Sequence, residues 1–228
     1  PMKTEVLQNP MPGMGGLGET VTVPLGARGF STLRVASTTE KPGSSDGTGA
    51  FRIVCDYSHM NFDDPIVSPR QPNASHLHTF FGNTLTDAYA TASSLATTGR
   101  STCRGGISNR TAYWVPTLLD ANANPVIPAS AIFYYKTGYN DIGPANIKAM
   151  PKGLRMIAGD KNSSSKQEHA SWGCLETYIP GLPGSIPSVR TCGGAGNHVE
   201  MFVVFPQCWN GRDLDSANHK SHMSYPVS

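Results

Sequence analysis

Charge is scarce in this chain: 15% of its 228 residues are Asp, Glu, Lys or Arg, against the usual quarter. No window of a dozen residues repeats apolar positions at 3.6 or 3.5 spacing, so an all-α fold and a coiled coil are excluded. Lys plus Arg number 18 and Asp plus Glu 16, and the basic residues stand singly. Clustered cations that release counterions together are missing, and nucleic acid is not an expected partner. No run of ~18 apolar residues occurs, so no membrane span is expected. No C-x-x-C pair supplies adjacent thiolates for structural zinc. Neither G-x-x-x-x-G-K-[ST] nor H-E-x-x-H is present. Glu168, Glu176 and Glu200 are the only glutamates beyond residue 40. None is paired as in retaining glycosidases, although Asp can take that role.

What is abundant is punctuation, with 24 Gly and 18 Pro. Between these breaks lie short apolar and β-branched runs that read as strands. They are 20–25, 30–35, 51–55, 113–119, 131–136, 154–160 and 199–206. The last is apolar at nearly every position and predicts a central strand buried on both faces. Residues 41–49 form a plain loop. The expectation is a mostly β fold, a single-domain β-sandwich or jelly roll with long loops and little helix. Residues 1–20, rich in Gly, Met and Pro, predict a flexible or partner-bound arm, through which copies of the chain could assemble. Residues 21–228 then form one β-rich domain.

The five cysteines, Cys55, Cys103, Cys174, Cys192 and Cys208, read as the disulfide set of an extracellular or cell-surface protein with one thiol left over. N-x-S/T sequons at Asn73, Asn109 and Asn162 add little weight to that localisation.

Histidine is the most informative residue type. Of the seven, five fall in three local motifs: Ser58-His59-Met60 with Asp63-Asp64-Pro65, Ser75-His76-Leu77-His78, and the segment from Cys208 to His222. Residues two apart on a strand share a face, which sets the imidazoles of His76 and His78 side by side. A histidine pair with a carboxylate is a set that one divalent metal ion uses, here His76, His78 and Asp64. The same groups suit metal-free work, with a histidine as base and an aspartate as acid. Asp64 before Pro65 also has a plainer reading, a side chain that caps its own turn. The candidate catalytic set is Asp64, His76 and His78, completed by His59, Asp215, His219 and His222. Tyr113, Trp114 and Trp209 offer flat apolar faces with a polar edge, as sugar-binding sites do. With Arg155 they are the candidate substrate contacts.

Five ordered strings carry a resemblance. They are His59-Met60 with Asp64-Pro65-Ile66-Val67, Ser75 to Asn83, Tyr113 to Leu118, Gly153 to Asp160, and Phe205 to Gly211 with Leu214-Asp215-Ser216 and His219 to Pro226. From about residue 51 onward the chain resembles a secreted domain of unknown function found in filamentous fungi, actinobacteria and other bacteria, sometimes joined to cell-wall or cellulose-binding modules. The resemblance implies an extracellular role on polysaccharide or cell-wall glycan. It also implies a further C-terminal segment with another cysteine beyond Ser228. The expected function is a secreted glycan hydrolase with a His/Asp site, and the rival expectation is a non-catalytic glycan-binding module or an extracellular assembly component.

Overall fold

The structure is a computed structural model. It describes the backbone of residues 4–7 and 21–24, and residues 49–137, 146–165, 167–174, 192 and 198–226. The strands expected at 30–35 and most of the loop at 41–49 lie outside these residues. The chain divides into two compact units, Pro1–Gly153 and Leu154–Ser228.

In the first unit, β1 (Thr4–Leu7) pairs antiparallel with β2 (Val21–Pro24). A strand therefore occupies part of the segment expected as an arm. Next come β3 (Ala50–Cys55), β4 (Tyr57–Asn61), β5 (His78–Gly82), β6 (Ala112–Pro116) and β7 (Ala131–Lys136). Strand β3 pairs with β7, while β4, β5 and β6 form a three-stranded antiparallel sheet in that order. The fold is mostly β, as the sequence predicts. The predicted strand at 113–119 stops at Pro116, which has no N–H for a ladder.

The two sheets share a core built by side-chain alternation. Inward-facing Ile53 of β3 and Phe133 of β7 pack with Phe81 of β5, Tyr113 and Val115 of β6, and the buried disulfide Cys55–Cys103. The rings of Tyr113 and Phe133 stack at 3.6 Å, and the Tyr113 hydroxyl meets that of Tyr135 at 2.6 Å. Tyr113, a candidate substrate contact by sequence, is thus a core residue. A second cluster joins Tyr57, Met60, Phe62 and Leu77. Burying a side chain such as Phe80, fully buried on β5, stabilises the fold by roughly 2 to 3 kcal/mol.

Among the described residues one short α-helix, α1 (Ala92–Thr97), lies between β5 and β6. Its start is a reciprocal cap: Thr91 Oγ1 accepts the Ser94 N–H, and Ser94 Oγ accepts the Thr91 N–H. Its end is held by buried Asn83, which donates through Nδ2 to the Leu95 and Thr98 carbonyls and accepts the Leu85 N–H.

In the second unit, β8 (Ala170–Cys174) pairs with β9 (Val199–Val203), and β10 (Cys208–Trp209) with β11 (Met223–Ser224). Cys174 is bonded to Cys192, and Cys208 is a free thiol. Two expectations are corrected here. Residues 154–160 form no strand, because the Arg155 N–H goes to the Leu214 carbonyl and the Arg155 carbonyl accepts from His222. The strand expected at 199–206 ends at Val203 and has one neighbour among the described residues, with Met201, Val204 and Phe205 exposed rather than buried.

Candidate functional site

The histidines and carboxylates singled out by sequence fall into one cluster in each unit. In the first, Asp63 and Asp64 follow β4 and are buried. Asp63 accepts the N–H of Asn73 at 2.8 Å and of Ala88 at 3.1 Å, so its carboxylate ties two loops together. Asp64 Oδ1 accepts the N–H groups of Ile66 and Val67, the turn cap that Asp before Pro favours. Its Oδ2 accepts from Trp114 Nε1 at 3.3 Å. That bond fixes the indole, which also stacks on Phe80.

His59 sits at an irregularity of β4, where the register shifts between Tyr57 and His59. Its ring lies parallel to Phe80, with centroids 4.8 Å apart. Nε2 donates to the Thr86 carbonyl at 2.7 Å, and Nδ1 meets the Ser58 hydroxyl at 2.9 Å. Nε2 holds the loop at Thr86 to the sheet and Nδ1 is engaged by the neighbouring residue of β4, so His59 is a structural residue of this cluster.

His78 opens β5 and is buried, while His76 lies in the bend before it. Their rings stand 4.3 Å apart at 54°. The expected pairing of imidazoles holds, although only one of the two is on a strand. His78 Nδ1 donates to the Asp63 carbonyl at 2.9 Å. Burial first, and the neighbouring His76 second, push its pKa down to about 4, against the opposing pull of Asp63 and Asp64. At neutral pH the ring is uncharged. The metal set His76, His78 and Asp64 is not gathered as such: among the described residues no three His, Cys, Asp or Glu side chains converge as metal ligands do.

The second cluster is built by the turns between β10 and β11. Asp215 stands at its centre. Oδ1 accepts from His219 Nδ1 at 2.9 Å and from the Ser216 N–H at 2.9 Å, and Oδ2 is 3.2 Å from Arg155 Nη1. Burial alone would raise the pKa of this carboxyl. The bonds from His219 and Ser216, the charge of His219 and the bond from Arg155 outweigh it and hold the group below the ordinary carboxylate range. Arg155, expected to meet substrate, is therefore an ion-pair partner of Asp215.

His219 is 26% exposed and its backbone has φ of 58°, a left-handed conformation uncommon for a residue with a side chain. The His219 N–H bonds the Ser216 carbonyl at 2.8 Å, and Asn218 Oδ1 accepts the N–H groups of Lys220 and Ser221. These bonds hold the turn. With Nδ1–H directed at Asp215, the lone pair of the neutral ring lies on Nε2, and nothing among the described residues bonds that atom. Strain of this kind collects where a side chain must be aimed.

His222 differs. It is buried, donates through Nε2 to the Arg155 carbonyl at 2.7 Å, and has Nδ1 at 2.9 Å from the Ser216 hydroxyl, which is also 3.0 Å from Asn218 Oδ1. Both ring nitrogens are engaged. Trp209 is half-buried, and its Nε1 donates to the Asp213 carbonyl at 2.6 Å.

Of the seven candidate catalytic residues, the structure thus leaves His76 and His78 paired in one unit, and a His219–Asp215 dyad in the other. His59, Asp64 and His222 serve mainly as local ties. The role of Arg155 was missed by sequence reasoning; its distance of sixty residues from Asp215 gave no signal.

A family model described as a domain of unknown function (DUF1996) matches residues 64–228. No curated protein and no solved structure matches the chain.

Proposed function

The chain belongs to the DUF1996 family, a domain of unknown function, and from that premise we propose that it acts outside the cell on a polysaccharide or cell-wall glycan, by hydrolysis, with His219 as the base. The observation that carries this reading is the Asp215-oriented imidazole of His219 with its second nitrogen open. A base must keep one nitrogen aimed and the other available, and an ion-paired carboxylate does the aiming. Water would give its proton to Nε2 and its oxygen to the sugar carbon. As the C–O bond breaks, the proton held on Nε2 passes to the departing oxygen, which leaves as a hydroxyl, and the neutral imidazole is regenerated. Two disulfides support an oxidising compartment, and among the described residues no helix is long and apolar enough to cross a membrane.

The test is release of new reducing ends from a panel of fungal, plant and bacterial polysaccharides. His219→Asn is the informative variant, since Asn tolerates positive φ and so keeps the turn while removing the base. General-base chemistry predicts a loss of 10² to 10⁴-fold. Equal activity in the variant would remove His219 from the mechanism.

A non-catalytic glycan-binding module is the second reading, favoured by the engagement of His59, Asp63, Asp64 and His222 in loop ties. It predicts saturable binding to a polysaccharide without new chain ends.

A further inference from the structure

The sequons at Asn73, Asn109 and Asn162 take no part in the reading above. Attaching an oligosaccharide to such a site requires the Asn amide and the hydroxyl two residues on to reach an enzyme together, and the folded protein must then leave a bulky, solvated group in water. On those terms the three differ. Asn109 is half-buried, and its carbonyl accepts the Ser101 hydroxyl at 2.5 Å. The next residue, Arg110, is fastened by its guanidinium to the Ala96 and Gly99 carbonyls. Asn73 is exposed, but its N–H is held by the buried carboxylate of Asp63. Its partner Ser75 is tied in as well, with the N–H on the Phe62 carbonyl and the hydroxyl 3.5 Å from His78 Nδ1. Folding therefore draws both of these sequons into the first unit.

Asn162 stands apart. Residues 160–165 are all exposed, and their turn is built without the Asn162 amide. Asp160 Oδ1 accepts the Asn162 N–H at 3.0 Å, and the Asp160 carbonyl accepts the Ser163 N–H at 3.1 Å. The Ser163 hydroxyl donates to the Ser165 carbonyl at 3.0 Å. Gln167 closes the loop, accepting the Asp160 N–H through Oε1 and donating through Nε2 to its carbonyl. Among the described residues nothing bonds the Asn162 amide or the Ser164 hydroxyl. Acceptor and hydroxyl thus stay in water in the folded chain as in the unfolded one. Asp160 Oδ1 also lies 3.8 Å from Lys220 Nζ, which sets this turn beside the loop that carries His219. An exposed turn holding Lys161 is also where a protease would cut.

We propose that Asn162 is the acceptor of an N-linked oligosaccharide, and that this glycan shields the peptide bond after Lys161. The donor is a lipid-linked oligosaccharide pyrophosphate. Nδ2 of Asn162 bonds the anomeric carbon, the bond from that carbon to the phosphate oxygen breaks, the lipid pyrophosphate leaves with the electron pair, and the amide gives up one proton to a base of the transferase. This takes from the reading above only that the chain is exported.

The whole chain, produced behind a secretion leader in a eukaryotic host and mapped by peptide mass, tests it. Peptide N-glycosidase in heavy-oxygen water turns each occupied Asn into a labelled Asp, so the peptide masses assign the sites. A glycan at Asn162 is the expected result, lost altogether in Asn162→Gln and in Ser164→Ala and kept in Ser164→Thr. These side chains are exposed, and circular dichroism of each variant verifies its fold. Trypsin acting on the folded protein should cut after Lys161 faster in Ser164→Ala than in the glycosylated chain. His219→Asn should carry the same glycan, so the base at His219 can fail without touching this assignment. The proposal is overturned by a bare Asn162, by occupancy that survives Ser164→Ala, or by equal cleavage after Lys161 with and without the glycan. A bare Asn162 in a chain whose Cys55–Cys103 bond has formed overturns it and leaves the extracellular reading standing.

Discussion

His78 gives its Nδ1 hydrogen to the carbonyl of Asp63 across 2.9 Å, which fixes the tautomer of a buried ring and turns the lone pair to Nε2. The bond ties the first residue of β5 to the carboxylate-rich turn after β4. It does so beside a second imidazole, in a place where a positive charge is disfavoured.

A pH dependence follows. Above pH 6.5 the ring is neutral both folded and unfolded, so it adds no slope. Below 6.5 the unfolded chain takes up the proton first, and the folded chain follows only near pH 4. Stability therefore falls as pH drops from 6.5 to about 4, by at most about 3 kcal/mol from this group. Melting temperatures at pH 7 and 4.5 check it against His78→Asn, which retains a donor for the Asp63 carbonyl. The variant should lose less stability over that interval.

The two disulfides close loops of 48 and 18 residues. Chain entropy gives roughly 4 kcal/mol for the longer and roughly 3 kcal/mol for the shorter. Urea unfolding of Cys55→Ala/Cys103→Ala should show the greater loss. That pair also lies inside a core, so cavity formation adds to its loss. An equal or reversed order would refute the ranking.

Gly82 ends β5 with φ of 86°, and a Cβ there would overlap the Thr111 carbonyl. Gly211 has φ of 78° with nothing within 4 Å of such a Cβ. Alanine at 211 should cost about 1 kcal/mol, the backbone term alone. Alanine at 82 should cost about 3 kcal/mol or more, because backbone must move as well. Thermal unfolding of the two variants separates strain from collision.

Arg155 and Asp215 form a half-exposed ion pair, so Arg155→Ala should lower stability by only about 1 kcal/mol or less. Its backbone bonds to Leu214 and His222 survive the substitution. Asp215→Asn should cost more activity than stability, since it removes the acceptor that fixes His219. Chain-end release and unfolding, measured on both variants, should diverge in that way.

The strands at 51–55, 113–116, 131–136 and 199–203 were legible because alternation and β-branched or aromatic side chains mark a half-buried ladder. Residues 154–160 look similar in composition. Their peptide groups are taken by a loop carbonyl and a histidine side chain, and no local pattern encodes partners sixty residues away. The apolar run at 199–206 overstated its burial, since apolar content says nothing about how many strands flank it. Ala170–Cys174, with small and polar residues, was silent. In the candidate site the adjacency of His76 and His78 could be read from their spacing, and so could the turn cap of Asp64. The Asp215–His219 bond was not, because it depends on a left-handed backbone at His219.

The Ser216 hydroxyl sits between two groups and has a single hydrogen to offer. Handed to His222, it satisfies a neutral ring and leaves Asn218 Oδ1 with its two backbone donors. Handed to Asn218, it leaves Nδ1 of His222 facing the hydroxyl oxygen without that hydrogen. The loop that aims His219 is thus one hydrogen short of completing every contact at once.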